Sequence, residues 1–132
     1  GYIAAVEELR DDFRRADITP GTIIHATGSG GTQAGLIAGL KLHKLDVTVH
    51  GYAVCDDAGY FHNKIHTDLT AWKHEYSVNI DVDQLPIITN DKHLGLAYGE
   101  ASPEVFQTIK MVPQKRELCL TRYIRARRFM AC

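Results

Sequence analysis

The segment HATGSGGTQAGL, residues 25 to 36, holds four glycines, with Thr27, Ser29 and Thr32 set among them. It follows the apolar run TII and leads into a stretch with helical patterning. A loop that runs into a helix presents unpaired backbone N–H groups and the positive end of the helix dipole. Glycine permits positive φ and lets a ligand come close to the backbone. Successive amides in such a turn wrap an anion, and the three hydroxyls add donors. A plain strand-to-helix turn needs one glycine, not several flanked by hydroxyls. The chemistry expected here is phosphate binding.

The kind of phosphate is narrowed by what the loop lacks. Gly30 and Gly35 have the glycine spacing of a nucleotide-triphosphate loop, but Leu36 stands where that motif needs its lysine. Gly28 and Gly30 fit the start of a dinucleotide fingerprint, but Gln33 occupies the third glycine position. Asp56, after the next strand, keeps a Rossmann-type nucleotide- or phosphate-binding module open as the alternative. The remaining option is a lone phosphomonoester held by backbone and hydroxyls, of which pyridoxal 5′-phosphate is one.

Other reactive side chains have plainer readings. His62 and His66 have the i, i+4 spacing of metal ligands, yet no third ligand accompanies them, so they read as exposed helix histidines and no metal is expected. Asp56 and Asp57 could be paired acid–base carboxylates, but at a helix start they read as caps. Cys55 reads as a buried thiol. Trp72 and Tyr76, one turn apart, read as helix packing.

The elements that must position the loop are legible as an alternation. Ala4 to Arg14 is a helix with Val6, Leu9 and Phe13 at helical spacing. Thr22 to Ala26 is a short strand. A helix follows from about Thr32 to Lys44, with Leu36, Ile37 and Leu40 inward. Asp46 to Val54 is a second strand, and a third helix runs to about Tyr76 through Phe61, Ile65, Leu69 and Trp72. LPII (residues 85 to 88) is a brief strand, residues 89 to 102 form a loop, and Ser102 caps a helix from Pro103 to about Val112. ELCL (residues 117 to 120) is a last strand. Strands alternating with helices and no hairpin signal define an α/β chain with a partial parallel sheet. In such sheets ligands bind at the carboxyl ends of the strands.

Composition sets the outer bounds. The chain has 132 residues, 45% of them hydrophobic, and a formal net charge of −1. Its balance of charge suggests neither a nucleic acid nor an anionic membrane as partner. No apolar run approaches the roughly 20 residues of a membrane span. The cysteines, Cys55, Cys119 and Cys132, are scattered and odd in number, which fits a reducing cytoplasm. The chain begins with Gly1 and enters a helix almost at once, which cleavage, tag removal or a fragment of a longer protein would explain equally well.

The loop as a whole, ATGSGGTQAGLIAGL, closely resembles the phosphate-binding loop of the D-cysteine desulfhydrase and 1-aminocyclopropane-1-carboxylate (ACC) deaminase family. GYIAAVEEL resembles that family's GYVEAAxEI helix start. VHGYAVCDDAGYFHNKI resembles the strand and helix after the loop, and LAYGEASPEVFQTIKMV resembles the family's xGYGxPxxEGxEAIxLxA. The likeness covers residues 1 to 114, an incomplete phosphate-binding α/β region, and TGSGGTQAGL sides with the desulfhydrase branch. It implies a tryptophan-synthase-β-like fold of type II and pyridoxal phosphate as cofactor. It implies a lyase or deaminase acting on a small amino acid, and a homodimer at full length. By position, Thr27, Gly28, Ser29, Gly30, Gly31 and Thr32 would hold the phosphate, and Tyr98 would line the substrate side. The family's Schiff-base lysine lies upstream of the GYV helix, so no residue of this chain is expected to be catalytic and the isolated chain is expected to be inactive. The strand that contacts the pyridine nitrogen in the family is likewise expected downstream.

Residues 115 to 132 depart from the pattern. TRYIRARRFMAC carries Arg122, Arg125, Arg127 and Arg128, where the family reads LDPVYTGKAxxGM. Thr121 to Cys132 can be encoded so that the frame starting at the third base spells Pro-Val-Tyr-Thr-Gly-Lys-Ala-Phe-His-Gly-Met. The tail is therefore expected to be out of frame, its arginines having no functional partner. An evolved basic helix for RNA is the competing reading.

Overall fold

The computed structural model describes residues 1–95 and 102–116. Its elements run α1 (Tyr2–Arg15), β1 (Thr22–Thr27), α2 (Gly31–Leu42), β2 (Thr48–Ala53), α3 (Ala58–Glu75), a 3-10 turn at Val82–Gln84, β3 (Ile88–Asn90) and α4 (Pro103–Arg116). The strands form one parallel sheet in the order β1-β2-β3. Thr22 to Thr27 pair in step with Thr48 to Ala53, and His50, Gly51 and Tyr52 pair with Ile88, Thr89 and Asn90. The last expected strand, residues 117 to 120, and the basic tail lie outside the described residues.

Two right-handed βαβ crossovers that step the same way across a sheet leave both helices on one face. The burial pattern of β2 follows from this. Val49, Gly51 and Ala53 are buried toward α2 and α3, while Thr48, His50 and Tyr52 alternate with them and are half-buried. The core gathers on the helix side, with Leu36, Ile37 and Leu40 of α2, Phe61, Ile65 and Leu69 of α3, and Val6 of α1. On the other face Ile24 and Ile88, in register with His50 on either side, are exposed.

α2 is buried along nearly its whole length, from Gln33 to Leu40. Periodicity alone marks Leu36, Ile37 and Leu40 as inward. The opposite side of α2 is buried as well, because α1 lies on it through Gly35 and Gly39. A Cβ on Gly39 would meet Val6 Cγ2 at 2.6 Å and the Ile3 carbonyl oxygen at 2.9 Å. Small residues four apart let the two helix backbones approach closely.

Helix ends are fixed by local bonds. α1, α2 and α3 each close with the same pair of backbone bonds. Ile18 N donates to Phe13 O and Asp17 N to Arg14 O. Leu45 N donates to Leu40 O and Lys44 N to Lys41 O. Val78 N donates to Lys73 O and Ser77 N to His74 O. This is the Schellman arrangement, and it puts Asp17, Lys44 and Ser77 at positive φ of 51°, 53° and 51°. α2 therefore stops at Leu42, short of the expected Lys44. At the start of α3 it is Asp57 that caps, accepting from Tyr60 N at 2.7 Å, while Asp56 takes a φ of 54° in the turn before it.

Two further boundaries differ from expectation. Leu85 is buried at the end of the 3-10 turn, and the strand begins only at Ile88 and runs to Asn90, because pairing with β2 decides it rather than the apolar run LPII. α4 continues past Val112 to Arg116. Pro113 has a φ compatible with helix, so the ladder loses one donor without ending. At the start of α4, Val105 N donates to Ser102 O at 3.0 Å. The Ser102 hydroxyl, and next the backbone of Glu104, hold the exposed Glu104 carboxyl below its ordinary pKa.

Candidate functional site

The glycine loop lies at the carboxyl end of β1, the end of a parallel sheet where ligands bind. Thr27 is the last residue of the strand. It is 2% exposed, and its Oγ1 has no hydrogen-bond partner among the described residues. An enclosed hydroxyl left in that state costs on the order of 1–3 kcal/mol. Gly28 and Ser29 are exposed, and Gly30 is buried against α3. Gly30 takes φ 79° and ψ −22° as the residue preceding α2, and no side chain caps the helix there. The contrast with α3 is direct, since Asp57 caps that helix and Asp91 Oδ2 accepts from Ala58 N at 2.9 Å. The first-turn amides of α2 remain directed at the loop's opening, Ala34 N being already bonded to Gly30 O at 2.9 Å.

Close packing behind the loop sets its shape. A Cβ on Gly28 would meet Val54 Cγ2 at 3.1 Å, and one on Gly30 would meet Ile65 Cγ1 at 3.1 Å. Val54 N donates to Thr27 O at 3.0 Å, which extends the β1–β2 pairing into the loop. The Cys55 thiol is half-buried rather than buried, and donates to Gly28 O at 3.4 Å. The loop after β2 thus braces the loop after β1, and Asp91, just after β3, braces the start of α3.

Gln33 makes the third tie. It is wholly buried, with Nε2 donating to the Ile88 carbonyl at 2.8 Å and to Thr89 Oγ1 at 3.3 Å. Its side-chain oxygen lies over Gly51, where a Cβ would meet Gln33 Cδ at 2.7 Å. In the sequence Gln33 shows only as a break in a dinucleotide fingerprint. The signal that could have found the contact is Gly51, a glycine inside a β-branched strand, which marks close approach of another group.

The structure brings Thr27, Gly28, Ser29, Gly30, Gly31 and Thr32 together at one strand end and helix start. Tyr98 lies outside the described residues. His62 and His66 stack with ring centroids 6.4 Å apart, and His66 Nε2 pairs with Asp83 Oδ1 at 2.8 Å. Among the described residues no three His, Cys, Asp or Glu side chains gather as a metal would need. Trp72 and Tyr76 rings are 6.4 Å apart, tilted at 37°. No helix of the described residues is long and apolar enough to cross a membrane. A Thr27 hydroxyl without a partner among the described residues, an uncapped helix start and a left-handed glycine between them fit a phosphomonoester.

This parallel sheet, with its glycine loop at the first strand-to-helix junction, is a part of the type II fold of pyridoxal-phosphate enzymes. A crystal structure of an ACC deaminase homologue superposes with a TM-score of 0.81 at 25% identity, covering 98% of this chain and 38% of that one. The mitochondrial bifunctional D-cysteine desulfhydrase/ACC deaminase of Arabidopsis thaliana is 31% identical over 114 residues, which is 85% of this chain and 27% of that protein. A protein named putative ACC deaminase from Pyrococcus furiosus is 32% identical over 120 residues, covering 91% of this chain and 36% of that protein. No protein-family model matches. The chain is homologous to a segment of the D-cysteine desulfhydrase and ACC deaminase family, whose members use pyridoxal phosphate. It spans about a third of the length of the curated relatives it matches.

Proposed function

We propose that this chain carries the phosphate cradle of a pyridoxal-phosphate lyase or deaminase acting on a small amino acid, closer to D-cysteine desulfhydrase than to ACC deaminase. The observation that supports it is the junction of β1 and α2: a buried hydroxyl without a partner among the described residues, a glycine at φ 79° and a helix start without a cap, in a segment homologous to that family. Thr27, Gly28, Ser29, Gly30, Gly31 and Thr32 bind the phosphate, the backbone amides giving most of the donors and Thr27, Ser29 and Thr32 the hydroxyls. Bound there, the cofactor supplies the electron sink for breaking bonds beside an amino-acid α-carbon. Tyr98 belongs to the substrate side. Scattered cysteines support a cytoplasmic setting, and the resemblance supports a homodimer at full length.

The residues that would carry proton transfer are not among those of the cradle. The chain on its own binds phosphate and does not turn over amino acids.

Titration of the 132-residue chain with pyridoxamine 5′-phosphate, which has no aldehyde to react with surface lysines, tests the reading by amide NMR. The expected result is that shifts centre on Gly28 to Gln33, and that Gly30→Val removes them, since a β-branched residue is strained at positive φ. Shifts centred elsewhere overturn the reading. A response to NAD or ATP and none to the pyridoxal compounds favours the Rossmann-type module. Release of hydrogen sulfide or ammonia from D-cysteine or ACC overturns the expectation of inactivity.

A further inference from the structure

We infer that Gln33 is a positioning residue that ties the phosphate cradle to β3, so that the anion-binding amides and the strand leading to the substrate side move as one unit. The inference rests on the proposed cradle. Gln33 sits in the first turn of α2, where its backbone amide is one of the donors facing the loop. Its side chain points the other way, across the sheet. Nε2 donates to Ile88 O at 2.8 Å and to Thr89 Oγ1 at 3.3 Å, and Thr89 Oγ1 reaches Gln33 Oε1 at 3.4 Å. One residue therefore continues the first turn that follows the cradle through its backbone and anchors it to β3 through its side chain.

The route passes over β2 at Gly51. Gly51 lies between β1 and β3 in register, paired with His25 on one side and Thr89 on the other. Its missing side chain is the gap that the Gln33 amide fills on the way to Thr89. Any side chain at residue 51 would close the route. The carboxyl end of β3 leads straight into Asp91, which holds Ala58 N, and onward to the segment bearing Tyr98. A buried amide with its donors and acceptors matched to one site fixes distance better than apolar packing, because any shift breaks bonds that water cannot replace.

The test compares the wild-type chain with Gln33→Met, which keeps the volume and removes the bonds, and with Thr89→Val, which removes one partner from a half-buried position. Affinity for pyridoxamine 5′-phosphate and for inorganic phosphate is measured well below each variant's unfolding temperature. The 31P resonance of the bound compound is recorded alongside. Gln33→Met is expected to weaken both ligands about tenfold, as misplacing one charge-assisted hydrogen bond would. Thr89→Val is expected to weaken them less, and the double variant to be no weaker than Gln33→Met. A folded Gln33→Met chain with wild-type affinity and an unmoved 31P resonance overturns the inference and leaves the cradle standing. If Gln33→Met does not fold, wild-type affinity in Thr89→Val overturns it by itself. A wild-type chain that binds neither compound overturns the cradle and this inference together.

Discussion

Val6 of α1 sits directly on Gly39 of α2, its Cγ2 2.6 Å from where a glycine-to-alanine methyl would stand. Val6 is fully buried. Gly39→Ala gains about 1 kcal/mol of intrinsic helix propensity. It also forces α1 off α2, an overpacking that costs about 1–3 kcal/mol. The net expectation is lower stability in urea unfolding. Pairing it with Val6→Ala should recover part of the loss, so that the two changes cost less together than their sum. Strict additivity would show that the helices do not pack through this pair.

Gly51→Ala is expected to be the more damaging glycine substitution. The added methyl lands on the Gln33 carboxamide, which has no exposed route to leave by. Overpacking and broken buried hydrogen bonds together cost about 2–4 kcal/mol. Gln33→Ala opens the space, so Gly51→Ala in that background should be nearly neutral by comparison. Thermal and urea unfolding of the four chains measure this.

Lys44→Gly is expected to stabilise. Lys44 holds φ 53° at the left-handed end of α2 without the freedom that glycine has there. The substitution relieves strain on the order of 0.5–1 kcal/mol after the added flexibility of the unfolded chain is allowed for. Ser77→Gly at φ 51° should behave alike, and the two should add, since the helix ends are separate. A fall in unfolding midpoint for both would contradict the capping argument.

Acid should act on the start of α4 through Glu104. Its carboxyl is held below the ordinary value by Ser102 first and by the Glu104 backbone second. A group with a lowered folded-state pKa adds stability above its unfolded value, and that contribution is lost as pH falls through the folded value. The window therefore lies below the ordinary glutamate value of about 4.3. Carboxyl-detected NMR should find Glu104 titrating below that value, and Ser102→Ala should move it up. An unchanged midpoint in Ser102→Ala would sink the assignment of cause.

The alternation of strands and helices was legible because period-2 and period-3.6 patterns are local properties of the chain. So was the glycine loop, because hydroxyls and glycines between a strand and a helix have few other uses. β3 was misplaced by the sequence because LPII looks apolar enough to pair. The residues that pair are those opposite His50, Gly51 and Tyr52, and nothing in the local pattern states that register.

The glycines divide what was local from what was not. At Gly30 the sequence was enough, since a left-handed turn before a helix is written in the loop itself. At Gly35, Gly39 and Gly51 the residue type is the imprint of a neighbour distant in sequence, α1 on α2 and Gln33 on β2. At the ends of α1, α2 and α3 the left-handed position is held by Asp17, Lys44 and Ser77, with no glycine to announce it. Backbone bonds and the burial of the helices decide those ends. The sequence by itself determined the α/β class and the place of the glycine loop, because conformational preference and periodicity act between near neighbours. Tertiary structure alone decided how α2 is held, because close approach and hydrogen bonds across the sheet join residues that the chain separates by as many as 56 positions.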